Sequence, residues 1–154
     1  MSDTEKQIVG QIYERALDLY VHEDNLNWTK LHNLLYLNGG LLAIAGFTVD
    51  FTDGLMPLSP SDRTIILGIA ALGILTSLVF AIALHFGAQY LLARKAAAAR
   101  LEACLTEEED HWVVRTRTSH KSALRVSPTL WLLRATPLVF CLAWIGLMVT
   151  AIVG

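Results

Sequence analysis

Three stretches of this chain run without a single Asp, Glu, Lys or Arg: residues 31–49, 64–93 and 135–154, which are 19, 30 and 20 residues long. A helix needs about 20 predominantly apolar residues to cross a bilayer, so each stretch predicts a transmembrane helix. Elsewhere the pattern is amphipathic. Residues 3–36 contain no Pro and one Gly, Gly10. Apolar or aromatic residues recur at Ile8, Ile12, Ala16 and Tyr20, with Val9, Tyr13, Leu17 and Val21 beside them, and Glu14, Arg15, Asp18, Glu23 and Asp24 fill the other side. That four-residue spacing predicts one helix that runs into the first crossing. At ~1.5 Å per residue its polar portion reaches roughly 45 Å beyond the bilayer.

Stop and start signals divide the remainder. "DFTDG" ends the first helix and "MPLSPSD" cannot continue one. Ser61 is placed to cap a second helix, with Asp62 in its first turn. From Asp62 to Leu105 that helix meets no Pro, and its alanine-rich end, "LLARKAAAARLEACL", favours helix. At ~65 Å it is about twice the hydrocarbon thickness, so it overshoots the membrane and forms an antiparallel hairpin stalk with the first helix. Thr106 and Glu109 form a capping box for a short helix through about Thr116. Ser127 caps a last helix with Pro128 at its first position. Pro137 either kinks that helix or marks its true start.

Composition supports the membrane reading. The chain of 154 residues is 54% hydrophobic and 17% charged, against roughly 25% charged in soluble domains. Net charge is −2, so global charge implies no nucleic-acid partner. Its distribution sets orientation. Residues 94–134 hold eight of the twelve basic residues, whereas residues 50–63 hold only Arg63 against Asp50, Asp53 and Asp62. Lys and Arg concentrate on the cytoplasmic side, which puts the N-terminus and the second loop inside, and the first loop and Gly154 outside. Trp28, Trp112 and Trp131 fall near the inner boundary, as an interfacial aromatic belt would. The charged, helical N-terminus is not a signal peptide. Cys104 and Cys141 are expected to be packing residues, not a bridge.

The expected fold is an all-α integral membrane protein with three transmembrane helices, N-terminus in and C-terminus out, and a cytoplasmic helical hairpin stalk. Its parts are a cytoplasmic amphipathic helix over 1–30, crossings over 31–49, 62–93 and 128–154, an outer loop over 50–61, and a cytoplasmic helical extension with a basic loop over 94–127.

Small residues in the crossings predict helix contacts, because lipid provides no hydrophobic drive and helices associate where backbones approach closely. Asn38, Gly39, Ala43 and Gly46 give such a surface on the first helix. Gly73, Ser77, Ala81 and His85 fall at steps of four on the second, and Gly146, Thr150 and Gly154 on the third. That many faces in a three-helix protomer point to a homo-oligomer. Asn38 must hydrogen-bond to something in hydrocarbon, either as a tie between helices or as a pore-lining group. His32 and His85 fall at similar depth and as a pair are candidates for a metal or a pH response.

Catalytic motifs are sparse. The chain carries no phosphate-binding loop, dinucleotide fingerprint, zinc motif or nucleophile elbow. Asp18 and His22 lie at i, i+4, with Glu14 one turn before, a spacing that can hold a metal but lacks a second ligand set. Arg115 and His120 have the Arg-x4-His spacing that resembles the signature of the HEPN ribonucleases. Arg115, Arg117, Lys121 and Arg125 equally suit attraction to anionic lipid headgroups. No cofactor is expected.

Tyr13 to Phe47, "YERALDLYVHEDNLNWTKLHNLLYLNGGLLAIAGF", resembles the opening of small bacterial membrane proteins of the SLATT and RipA-like group, through Leu19, Tyr20, Val21, Asn38, Gly39 and Gly40. The resemblance implies an oligomeric membrane protein with a cytoplasmic helical part, associated with pore-type effectors of bacterial antiviral systems. The third crossing and the outward C-terminus depart from that pattern. Three functions follow as expectations. The first is a homo-oligomeric inner-membrane pore or channel that perturbs the bilayer in defence or stress. The second is a scaffold whose stalk recruits a cytoplasmic protein partner. The third is a membrane-tethered ribonuclease using Arg115 and His120.

Overall fold

The computed structural model describes residues 3–48, 60–105 and 128–153. All of them are helical: α1 spans Asp3–Thr48, α2 spans Pro60–Leu105 and α3 spans Pro128–Val153. The helix ends follow local chemistry. α2 starts at Pro60, so Ser61 sits inside its first turn and is not the cap expected of it. Proline suits the first helical position because its fixed φ is already helical and its missing N–H would find no partner there. α3 likewise begins at Pro128. Pro137 lies inside α3 without ending it and is buried. The capping box at Thr106 and Glu109 and the short helix expected through Thr116 fall outside the described residues.

α2 and α3 are long and apolar enough to cross a membrane. α1 is not among the helices that meet that standard; His32, Asn33 and Asn38 dilute its apolar half.

The chain packs as two units. The first draws on Met1–Trp28 and Phe86–Trp131, the second on Thr29–His85 and Leu132–Gly154. In the second unit the buried positions alternate in steps of three and four. On α1 they are Leu31, Leu34, Asn38 and Ala45, with Leu41 half-buried; on α2 they are Ile66, Ala70, Gly73, Ser77 and Leu84. α3 repeats the pattern with Leu133, Pro137, Trp144 and Ala151. The mean step of 3.5 residues is the period of a left-handed coiled coil, in which each inward residue fits a gap between residues of the facing helix. Most of the unit's other described residues that face outward are apolar. Tyr36 is 77% exposed, Phe47 92% and Leu142 68%. A helix that is hydrophobic on every face suits lipid, not water.

The first unit keeps the same period. Tyr13, Leu17, Tyr20 and Asp24 are half-buried on α1 and lead to buried Asn27. Ala88, Leu91 and Leu130 form a small apolar core against which Tyr20 packs. This corrects the face expected from four-residue steps. Ile8 and Ile12 are exposed, while Ala16 and Tyr20 turn inward. A helix repeats every 3.6 residues, so a row taken at steps of four drifts around the axis and leaves one face for the next. The same drift separates buried Gly73 and Ser77 from half-buried Ala81 and exposed His85.

Candidate functional site

The buried polar groups of the second unit converge on one amide. Asn38 is fully buried, one helical turn beyond Leu34 on α1. Its Nδ2 donates to the Leu34 carbonyl at 2.8 Å. Its Oδ1 accepts from the Trp144 indole Nε1 at 2.6 Å and from the Ser77 hydroxyl at a longer 3.4 Å. One side chain thus joins all three helices, with α1 giving the amide, α2 the hydroxyl and α3 the indole. Within the protomer Asn38 is therefore a tie between helices; it does not face outward.

Gly73 makes the arrangement possible. Trp144 lies against α2 at this residue, and a Cβ built on Gly73 would clash with the indole ring. Trp144 and Ser77 are both buried. The group is neutral throughout, and amide, hydroxyl and indole offer no acid–base chemistry near neutral pH. What it does is fix helix register: in hydrocarbon an unmet polar group has no water to turn to.

Trp144 was not singled out by sequence reasoning. A usable signal was present. The other tryptophans fall near an expected boundary, whereas Trp144 lies well inside an apolar run. A buried indole N–H normally finds an acceptor, and Asn38 is a polar side chain within the first apolar run.

The remaining small residues take a different place. Gly39, Gly40, Gly46 and Gly146 are exposed, and a Cβ added at any of them would meet nothing within 4 Å. Ala43 and Thr150 are exposed too. Gly73 and Ser77 are thus used inside the protomer, whereas Gly39, Gly40, Ala43 and Gly46 of α1 face outward.

In the first unit, the Tyr13 hydroxyl donates to Glu102 Oε1 at 3.3 Å. Glu102 is only 3% exposed. Burial raises the Tyr13 pKa above the ordinary tyrosine value, and the charge of Glu102 and its hydrogen bond raise it further. Asn27 is fully buried, and neither of its amide atoms has a hydrogen-bond partner.

His32 and His85 are exposed, as are Glu14, Asp18 and His22. Among the described residues no group of three or more His, Cys, Asp or Glu could hold a metal ion. Cys104 and Cys141 are free thiols. Arg115, Arg117, His120, Lys121 and Arg125 lie outside the described residues.

Among known proteins, the model of a family described as the octameric membrane protein family (8xMP) matches residues 11–153. No curated protein and no solved structure matches. The match supports the coarse part of the SLATT-like resemblance, a small membrane protein of oligomeric kind.

Proposed function

The chain belongs to the octameric membrane protein family, and from that premise we propose that eight copies close into one ring that serves as a pore-type effector of the bacterial inner membrane. Each copy crosses three times, with α1 from about residue 31 as the first crossing, the N-terminus inside and the C-terminus outside. The setting is antiviral defence or stress, as the SLATT-like resemblance implies. No catalysis is assigned.

The observation that carries this reading is the outward surface of the second unit. It is mostly apolar, the buried polar residues Asn38 and Ser77 are tied inside, and Gly39, Gly40 and Gly46 stand open to close approach. Helices in lipid associate through such surfaces. Ring closure then has a geometric consequence. Packed helix axes lie ~8–10 Å apart. Eight axes in one ring stand ~10–13 Å from its centre even when each copy gives only one lining helix, and a helix has a radius of ~5–6 Å. The opening left is at least roughly 10 Å across, too wide for side chains of this size to fill. Its wall is apolar, and an apolar constriction gates by excluding or admitting water.

Reconstitution tests the proposal. Vesicles loaded with a small fluorophore and a large dextran, and holding octamers verified by native mass measurement, should release the fluorophore and keep the dextran. Octamers that release neither under any membrane potential would overturn the pore. The scaffold reading would then be favoured by one feature, the exposed Ile8, Ile12 and Leu19 of α1.

A further inference from the structure

α1 carries a second row of residues with the coiled-coil period, on the side away from its buried one. Ile8, Ile12, Arg15, Leu19, His22 and Leu26 follow one another in steps of four, three, four, three and four, and all six are exposed. Each lies two residues from a position of the inward row, which rotates the second row by about 150° around the helix. α2 has a counterpart in the same unit. Tyr90, Ala93, Ala97, Arg100 and Cys104 repeat the steps of three and four and are likewise exposed. One row is led by large aliphatic side chains, and the other has alanines at its middle. That is the pairing of knobs with holes.

Charge is complementary between the two helices as a whole, while the rows themselves each carry one arginine, Arg15 and Arg100. Residues 1–28 hold six Asp or Glu against two Lys or Arg; residues 86–105 hold three Lys or Arg against one Glu, the buried Glu102. An acidic helix thus lies beside a basic one, and each has an outward face that its own partner cannot reach.

We infer that the outer row of α1 is the seat for the outer row of α2 from a second copy of this chain. The inference rests on the octameric ring proposed above. A ring of identical copies joins two different faces of each protomer, and these are two different, complementary faces. The register follows from the protomer. Tyr13 bonds Glu102, so residue n of α1 lies level with about residue 115 − n of α2. Rotation about an axis along the membrane normal keeps heights unchanged. Across the joint, Ile12 then faces Ala103 and Cys104, and Leu19 faces Ala96 and Ala97. Arg15 comes level with Arg100, with Glu14 beside it to offset the like charge, and Asp18 sits one turn from Arg94. In this way the aliphatic row outside the apolar crossings is covered by the chain's own kind.

A single substitution tests the joint, because Cys104 is already in place. Ile12→Cys on the full chain, in isolated membranes treated with an oxidant, should give a ladder of disulfide-linked species up to eight copies. The ladder should vanish when Cys104→Ala is added. Within one protomer a bridge would give only a monomer with altered gel mobility, so the ladder reads contacts between copies. A second pair, Leu19→Cys with Ala97→Cys in the Cys104→Ala background, gives the same readout if the first variant fails to fold. Leu19→Asp should raise the concentration at which octamers half-dissociate by roughly ten- to a hundredfold, the worth of one buried leucine. Dimers that persist without Cys104 would mean α1 meets α1, and would overturn the inference. So would an octamer, seen by native mass, in which neither cysteine pair cross-links: the ring would stand, but on another face. A monomer in the membrane would overturn both the ring and the joint.

Discussion

Gly73→Ala adds one methyl group at the point where Trp144 rests on α2. In an exposed helix interior this change stabilises, by about 0.8–1 kcal/mol, because alanine is the better helix former. Here the added carbon would occupy the indole's place, so the ring must move. Forcing extra volume into a packed core costs ~1–3 kcal/mol. The displaced ring also loses its 2.6 Å hydrogen bond to Asn38. An orphaned buried donor or acceptor costs ~1–3 kcal/mol, although hydrogen bonds between helices in lipid average only ~0.6 kcal/mol. The net expectation is a loss of about 1–5 kcal/mol, opposite in sign to the propensity effect. The assay is equilibrium unfolding of the detergent-solubilised protein by rising SDS fraction, followed by tryptophan emission and circular dichroism. Two comparisons make it decisive. Gly68→Ala, on the same helix but with nothing within 4 Å of the new carbon, should be neutral or stabilising. In a Trp144→Leu background, Gly73→Ala should lose most of its cost. Coupling between contacting residues is typically 0.5–3 kcal/mol. Gly73→Ala unfolding at the same SDS fraction as wild type, or later, refutes the packing described for Trp144.

Three further outcomes are expected. An alkaline phosphatase reporter, active only outside the cytoplasm, should work when fused after Gly154 and stay silent when fused at Leu105; the opposite result ends the three-crossing, N-in orientation. The raised pKa of Tyr13 means the folded state holds this proton more tightly than the unfolded state. Its contribution to stability is therefore complete below the usual tyrosine range and lost as pH rises through the folded value, and Tyr13→Phe should remove that alkaline dependence from chemical unfolding curves. Arg115→Ala and His120→Ala should each leave membrane permeabilisation close to wild type, since a basic residue near anionic lipid is worth about 1 kcal/mol, whereas an abolished activity with His120→Ala alone would favour acid–base catalysis, worth roughly 10²–10⁴-fold.

Helix content and helix limits were largely legible in the sequence because they depend on local chemistry. Pro128 opens α3, and Leu105 closes the described part of α2. Helix phase was harder to read. Four-residue steps put Ile8 and Ile12 on the same face as Tyr20, but supercoiled packing follows 3.5 residues and leaves both isoleucines outside. Small residues carry a second ambiguity. Gly39 and Gly73 look alike in a sequence, yet one faces outward and the other receives an indole from a helix 71 residues further along. Asn38 stood out because an amide deep in an apolar run needs a partner. Its main partner did not stand out, because hydrogen-bond pairing across 106 residues depends on tertiary packing that no local pattern encodes.

That separation along the chain has a consequence in time. Asn38 is synthesised 39 residues before Ser77 and 106 residues before Trp144. At ~5–20 residues per second, its acceptor oxygen waits roughly 5–20 s for the indole. The bond from Nδ2 to the Leu34 carbonyl lies within α1 itself, so the amide's donor side can be satisfied as soon as that turn of helix forms. Only the oxygen is left open; Ser77 of α2 reaches it at 3.4 Å and the indole of α3, the last helix made, at 2.6 Å. A chain that stalls before Trp144 therefore holds its first and second helices together through only the long Ser77 bond, and the short indole bond locks the register last.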